Sequence, residues 1–167
     1  MTVEVTRTGE GLRLARLDLF FVELLRQIPV SADPGDSDAA RERIYPAAMN
    51  DPRATQANED WRSYVHPELK QLFTTAGQTV REDLERFEQL DDSEDNWAFE
   101  IPAVHFDQWL NVLNQARLAL SARFEFQERE MSENGPRTIE TVRDLSLFQV
   151  HFYGFLQECL LQDLAGQ

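Results

Sequence analysis

The chain has 167 residues, of which 42% are hydrophobic and 10% aromatic, so it can bury one sizeable core. Its 30 acidic and 16 basic residues give a formal net charge of −14, which disfavours nucleic acid and anionic membrane surfaces as partners. The single cysteine excludes an internal disulfide, and the N-terminus lacks the pattern of a signal peptide. No segment approaches the roughly 20 apolar residues of a membrane span. We therefore expect a cytoplasmic protein with a single domain over residues 1–167.

The first 17 residues predict a small β-hairpin. Val3 and Val5, and then Leu12 and Leu14, alternate with polar neighbours, and Gly9-Glu10-Gly11 supplies a turn between them. A frayed tail is the alternative for residues 1–17.

Residues 18–167 predict a helical bundle that begins with short elements. Asp18 can cap an apolar helix that stops before Pro29, and a second short helix is expected from Ser37 to Tyr45. A loop connects the two, because the sequence between them contains an Asp-Pro-Gly turn signal.

A third helical region is expected to begin at Asp51-Pro52, since aspartate is a good cap and proline is favoured at the first helical position. It continues to His66-Pro67, where the proline must bend or break the helix. A new helix with apolar residues every three or four positions follows over residues 67–90.

The second half of the chain predicts one strand and two long helices. Trp97–Ile101 is expected to form a short strand, and residues 104–124 and 137–164 form the helices. The fold class is therefore mainly α: a bundle of about three long and two or three short helices, with the hairpin at its N-terminal end. We expect Phe, Leu and Trp to fill its core, which leaves function to the surface.

Pairing of the last two helices predicts specific ion pairs. If they form an antiparallel hairpin, Arg117 lies near Asp144 and Arg123 lies near Glu140. Such pairs would orient the helices and add little stability if they are exposed.

Catalytic and metal-binding signatures are missing from the sequence. His66, His105 and His151 lie far apart, and none has a ligand partner at helical spacing. The sequence also lacks a Gly-rich phosphate loop and the Glu-x-x-His motif of di-iron bundles. We therefore assign no catalytic, cofactor-binding or metal-binding residue, and we expect no cofactor.

Aromatic residues provide the one candidate interaction surface. Trp61 and Tyr64 lie three residues apart on one helix face, next to His66, and could dock a peptide. The structural alternative is a buried helix stripe that meets a bend. The aromatic run at residues 152–155 cannot point in one direction on a helix, so we expect one member to be exposed or to meet another subunit. We choose Tyr153 and include it in the candidate surface.

Three segments resemble a known family in order and spacing. They are Ile44-Tyr45-Pro46 followed by Asn50-Asp51-Pro52, then Leu113-Asn114-Gln115-Ala116-Arg117-Leu118-Ala119-Leu120, and finally Phe155-Leu156-Gln157-Glu158-Cys159-Leu160. Over roughly residues 10–165 the chain resembles the bacterial domain of unknown function numbered 2017. It departs from the family at Pro102-Ala103-Val104-His105, where a more acidic first helical turn is usual.

The resemblance implies a mainly helical bacterial protein without an established activity. It also implies a link to Clp-type proteolysis, because the gene lies near that of the Clp substrate-recognition adaptor in some genomes. Some members carry the label of transcriptional regulator, which the net charge of −14 does not favour for direct DNA binding.

The sequence therefore favours a non-enzymatic protein-interaction or regulatory module, with a protein partner or a second copy of the chain as its ligand. One alternative is a hydrolase-like enzyme with a cleft of Asp, Glu and His residues. A deep pocket with converging carboxylates would support that alternative. The other alternative is a transcriptional regulator.

Overall fold

The computed structural model describes residues 3–45, 51, 53–136 and 138–166. The helices are α1 (Leu19–Arg26), α2 (Ile28–Ala32), α3 (Asp38–Ile44), α4 (Thr55–Asp60), α5 (His66–Asp83), α6 (Phe106–Arg123), α7 (Glu128–Ser132) and α8 (Val142–Ala165). The strands are β1 (Glu4–Arg7), β2 (Gly11–Leu17), β3 (Glu88–Gln89) and β4 (Trp97–Pro102). The mainly α class is confirmed, but the sheet is larger than the predicted hairpin. No helix of the described residues combines the length and the apolarity that crossing a membrane requires.

The four strands form one antiparallel sheet in the order β1-β2-β4-β3. Its first two strands are the predicted hairpin, and β4 is the strand expected near Trp97. Gly11 is required where β2 meets β4, because a Cβ atom at this position would lie 2.0 Å from the carbonyl oxygen of Ile101. The helix predicted over residues 67–90 is too long. It ends at Asp83, and Phe87 leaves the helix and stacks on a phenylalanine of β4 with ring centroids 4.9 Å apart.

α6 is the central helix of the fold, because it contacts α2, α3, α5 and α8. Trp109 of α6 is fully buried and packs against Phe99 of β4, with ring centroids 5.5 Å apart. This contact joins the helices to the sheet, so both contribute to one main apolar cluster. A smaller cluster forms where Ala40 and Ile44 of α3 meet Ala119 of α6.

Helix ends follow the predicted capping in part. Asp18 caps α1 by accepting a hydrogen bond from a backbone N–H at 2.9 Å. α1 ends at Arg26, before Pro29 as predicted, and Pro29 lies in the first turn of a separate short helix, α2, where a missing N–H breaks no helical hydrogen bond. The predicted start at Asp51-Pro52 lies partly outside the described residues, and helix α4 begins at Thr55.

A bend or a break was predicted at Pro67, and the break does not occur, because a π-helical turn joins the two helices. Trp61–Val65 forms this turn and joins α4 to α5, and Pro67 lies in the first turn of α5. The wider turn accommodates the proline without ending the helical path.

The pairing of α6 with α8 differs from the prediction. The guanidinium of Arg117 donates a hydrogen bond to Gln157 Oε1 at 2.8 Å, and that of Arg123 donates to the backbone oxygen of Asp33 at 2.5 Å. The expected pairs with Asp144 and Glu140 are therefore wrong. The reason is an unpredicted helix, α7, together with an α8 that begins only at Val142. The longer connection moves the start of α8 along the chain and shifts the register of the two helices.

Asp144 has a different role from the predicted one. It forms a capping box with Thr141 at the start of α8, in which each side chain binds the backbone N–H of the other residue. Arg137, where this helix was predicted to begin, lies outside the described residues.

Candidate functional site

A cleft of about 400 Å³ opens between α2, α3, α5 and α6. We call it the cationic cleft, after the residues Arg41, Lys70 and Arg81 that lie along it. Its volume is within the range of small-molecule binding sites. Fully buried Trp109, Phe99 and Phe106 belong to the core that was expected to be filled by Phe, Leu and Trp, and this cleft lies at the surface above it.

Buried residues form the floor of the cationic cleft. Pro29 and Ala32 of α2 and Val112 and Gln115 of α6 line it and are all buried. Val112 and Gln115 share a face of α6 because they are three residues apart. Gln115 is only 7% exposed, and its side-chain Nε2 has no hydrogen-bond partner among the described residues. A buried donor without an acceptor lowers the stability of the folded protein by about 1–3 kcal/mol, so an acceptor for this amide would be stabilising.

Two cations on α5 lie at the edge of the cleft without partners. Lys70 and Arg81 are exposed, and neither side chain forms an ion pair or hydrogen bond with a described residue. Arg41 differs, because its guanidinium donates to Asp38 Oδ1 at 3.1 Å and to the backbone oxygen of Gly35 at 2.7 Å. Lys70 and Arg81 are therefore the cations available to a ligand.

Aromatic rings form one wall of the cleft. The ring of Tyr45 lies 4.7 Å from that of His66 and 5.7 Å from that of Phe73. Burial raises the pKa of the Tyr45 hydroxyl, and the negative charge of Asp33 raises it further. Tyr45 is therefore a neutral hydrogen-bonding group on a largely apolar wall.

Gly77 keeps the α5 side of the cleft open. A Cβ atom at this position would meet only one atom within 4 Å, the Nη1 of Arg81 at 3.5 Å. A glycine inside a helix costs about 1 kcal/mol relative to alanine. A Cβ atom would therefore fit here, and no close backbone contact requires a glycine at this position.

The charge of the cleft is opposite to that of the whole chain. Among its described lining residues Asp33 is the one acid, in a protein with a net charge of −14. The converging carboxylates that would support a hydrolase-like enzyme are not found among these lining residues. The arrangement instead favours the binding of a negatively charged ligand.

A second polar cluster lies at the C-terminal end of α5. The carboxylate of Asp83 is 1% exposed and accepts hydrogen bonds from Trp109 Nε1 at 2.9 Å and His105 Nδ1 at 2.8 Å. The guanidinium of Arg86 lies 3.9 Å away. This cluster fastens the end of α5 to the start of α6. Since its donors are 22 and 26 residues from Asp83, no local spacing in the sequence could have revealed it.

The candidate interaction surface lies on a helical segment without a buried residue. We call α4 and the π turn together, residues 55–65, the arm. Among the described residues its packing contacts are mainly with neighbouring turns of the same helix, and none of its own residues is buried. Tyr64 is 73% exposed, whereas Trp61 is half-buried. His66 follows the arm and contacts Tyr45, so it belongs to the cleft wall as well.

Tyr153 does not lie at the surface with these residues. Its side chain is 0% exposed, and its hydroxyl donates to the backbone oxygen of Leu24 at 2.7 Å. The exposed member of the 152–155 run is Phe155. The prediction that one aromatic residue is exposed therefore holds, but the choice of Tyr153 is corrected.

The described residues give little support for a metal site or for a reactive cysteine. There, no group of three or more His, Cys, Asp or Glu side chains is placed to hold a metal ion. Burial raises the pKa of the Cys159 thiol, and the charge of Glu158 adds to this effect. The reactive thiolate form of Cys159 is therefore disfavoured.

Comparison with known proteins finds one match. The family model of the domain of unknown function DUF2017 matches residues 5–164, which is nearly the whole chain. No curated protein and no solved structure matches the chain. The description of the family assigns no activity, so the arm and the cationic cleft are the features of the chain that bear on its function.

Proposed function

We propose that this chain, which belongs to the DUF2017 family, is a non-enzymatic binding module that docks another protein through the arm. One observation carries the proposal: the arm is helical although it buries no side chain of its own. Helices are marginal in water without a packed apolar face, so a partner that covers the arm would stabilise it. Tyr and Trp are also the residue types that contribute most to protein interfaces.

The π turn gives the arm a separate orientation. A π turn contains one residue more than an α-helical turn, so it rotates the arm relative to the core-facing positions of α5. The side chains of Tyr64 and Val65 consequently remain exposed rather than continuing the buried stripe of α5. Turns of this kind occur frequently at functional sites.

The charges around the arm define the partner. Glu59, Asp60 and Glu68 are exposed and form no ion pair with described residues, whereas Arg62 is the one base in this stretch. An apolar groove with a basic rim would complement such a surface. A second copy of the chain would bring another net charge of −14 to the contact, which disfavours self-association.

The substrate-recognition adaptor of the Clp protease is the first partner to test, since the gene neighbourhood in this family links the two proteins. A role in regulated proteolysis would place the chain in the cytoplasm. The family resemblance suggests this particular partner. The side chains of the arm suggest only that the partner has an apolar groove with a basic rim.

The experiment compares an arm variant with a matched control. The purified chain is titrated calorimetrically with the Clp adaptor, and with each protein recovered from native cells by affinity capture and then purified. Tyr64→Ala/Val65→Ala is expected to weaken a genuine complex at least about tenfold, because it truncates exposed contact residues. Val104→Ala changes an equally apolar residue, 82% exposed and outside the arm, and is expected to bind like the unchanged protein.

Two results would count against the proposal. The first is the absence of any protein partner together with a monomeric solution mass. The second is a partner that binds the arm variant and the unchanged protein with equal affinity. Circular dichroism of both variants serves as the folding control, because none of the substituted residues belongs to the buried core.

The enzyme and transcription alternatives receive less support. The cationic cleft has one acid among its described lining residues, which does not match a carboxylate-based hydrolase. A gel-shift assay at physiological salt tests the regulator, and the net charge of −14 leads us to expect no shift.

A further inference from the structure

We infer that the cationic cleft binds a small organic anion, a carboxylate or phosphate ester, whose oxygen accepts a hydrogen bond from Gln115 and whose charge is neutralised by Lys70 and Arg81. This site is separate from the arm and adds a small-molecule ligand to the proposed protein partner.

The strongest argument is the side chain of Gln115. It is more than nine-tenths buried, it lines the cleft, and its Nε2 lacks an acceptor among the described residues. Buried polar groups in folded proteins are nearly always hydrogen-bonded, so each exception needs an explanation. A rotation of this side chain toward the cleft would let an oxygen atom of a bound ligand provide the missing acceptor.

The charge of the ligand follows from the cations on α5. Lys70 and Arg81 are eleven positions apart, which is close to three helical turns, so they lie on the same face of α5. Neither has an anionic partner among the described residues, although acids outnumber bases by 30 to 16 in the chain. Unpaired cations that flank a concave site attract and orient an oxyanion.

The rest of the cleft defines the body of the ligand. Tyr45 and Phe73 present aromatic rings to it, and Val112 contributes an apolar side chain to its floor. A planar or apolar group can pack against these residues while the oxyanion meets the cations. The volume of about 400 Å³ suits a metabolite of up to mononucleotide size.

A nucleic acid is a poorer match than a small anion. The chain has a net charge of −14, so a polyanion that extends beyond the cleft would meet a negatively charged surface. Repulsion there would oppose binding. A small ligand places its charge only beside Lys70 and Arg81. The two cations therefore favour anionic ligands, and the negative charge of the rest of the chain favours small anions over large ones.

The test uses three probes of different shape with the full chain. Inorganic phosphate offers an oxyanion alone, citrate offers three carboxylates on a short carbon chain, and adenosine monophosphate joins a phosphate ester to a planar ring. Binding is measured by calorimetry and by the rise in melting temperature at millimolar probe concentration. We expect citrate or adenosine monophosphate to bind more tightly than phosphate, and their ranking shows whether the site prefers a carboxylate or a phosphate ester.

Variants separate the roles of the amide and of the cations. Gln115→Leu removes the unpaired donor at similar volume, and Lys70→Met removes a charge from an exposed position where folding is not at risk. Each is expected to weaken the preferred probe about tenfold, the usual effect of one charged or buried hydrogen bond. Arg129→Met is the matched control, because Arg129 is an exposed cation outside the cleft, and it is expected to leave binding unchanged.

The inference is overturned if no probe binds, or if phosphate alone binds as tightly as the two organic anions. It is also overturned if Lys70→Met and Gln115→Leu bind the preferred probe like the unchanged protein. The arm variant Tyr64→Ala/Val65→Ala is expected to retain anion binding, so failure of the protein-docking proposal leaves this test intact.

Discussion

The carboxylate of Asp83 offers the sharpest test of how the fold is held together. It is 1% exposed and accepts hydrogen bonds from Trp109 Nε1 and His105 Nδ1 at 2.9 and 2.8 Å. The substitution Asp83→Ala leaves both donors without an acceptor. Hydrogen bonds to a charged group contribute about 1.5–3 kcal/mol each, and the relief of burying a carboxylate offsets part of their loss. We therefore expect the free energy of unfolding to fall by about 3–4 kcal/mol.

The assay is urea unfolding at neutral pH, followed by circular dichroism and by thermal melting. For a chain of this length, the predicted loss corresponds to a fall in melting temperature of about 10 °C. Asp107→Ala is the matched control, because Asp107 is an exposed acid in the first turn of α6. Its loss should stay below about 1 kcal/mol, the usual value of a charge at a helix terminus. If Asp83→Ala is no more destabilising than this control, the role assigned to the cluster is refuted.

A double-mutant cycle then isolates one hydrogen bond of the cluster. Trp109→Phe removes the indole N–H and keeps an aromatic ring in the core. If Asp83 and Trp109 interact as their distance of 2.9 Å indicates, the two substitutions together should cost at least about 1 kcal/mol less than the sum of the single losses. Additive losses would mean that each residue acts only through packing.

Three further predictions concern other parts of the fold. Tyr153→Phe removes the hydroxyl that donates to the Leu24 backbone oxygen at 2.7 Å, so urea unfolding should show a loss of about 1–2 kcal/mol; no loss would contradict this. A hydrogen bond from Arg143, followed by one from a backbone N–H, lowers the pKa of Glu130 from 4.5 to about 2. This contribution to stability is therefore present above pH 4.5 and is lost as the pH falls toward 2, and in an NMR titration Arg143→Met should return the pKa toward 4.5. Gly77→Ala should raise the free energy of unfolding by up to about 1 kcal/mol, and a decrease would show that a side chain does not fit there.

Local signals in the sequence predicted those elements whose stability is local. The turn at residues 9–11 identifies the hairpin, and Asp18 identifies the start of α1 through its side-chain cap. The periodic apolar residues of α6 and α8 identify both long helices, although α8 begins at Val142 rather than at residue 137. Capping and turn chemistry act over fewer than five residues, and apolar periodicity is visible within a single helix, so all three can be recognised without the fold.

Features that depend on distant contacts could not be predicted in this way. β3 consists of Glu88–Gln89 and exists because β4 pairs with it, since its own two residues favour no strand. The burial of Tyr153 depends on the position of Leu24, which lies 129 residues away along the chain. The register of α6 against α8 depends on α7, a five-residue helix in a polar segment without apolar periodicity. In each case, tertiary contacts override or add to the local preference.

The cationic cleft shows the same limit and indicates where function is to be sought. In the sequence, Gln115 is a polar residue in a mainly apolar stripe, Gly77 interrupts a helix, and Lys70 and Arg81 are two scattered bases among many acids. Each of these residues, taken alone, disfavours stability or carries no information. Together they line one concavity, and the proposed anion would give partners to an unpaired donor and to two cations that have none among the described residues. Residues that individually lower stability and lie together at one site are typical of binding sites rather than of structural cores. For this reason, ligand titration against Gln115 and Lys70 variants addresses function more directly than further substitution of the core.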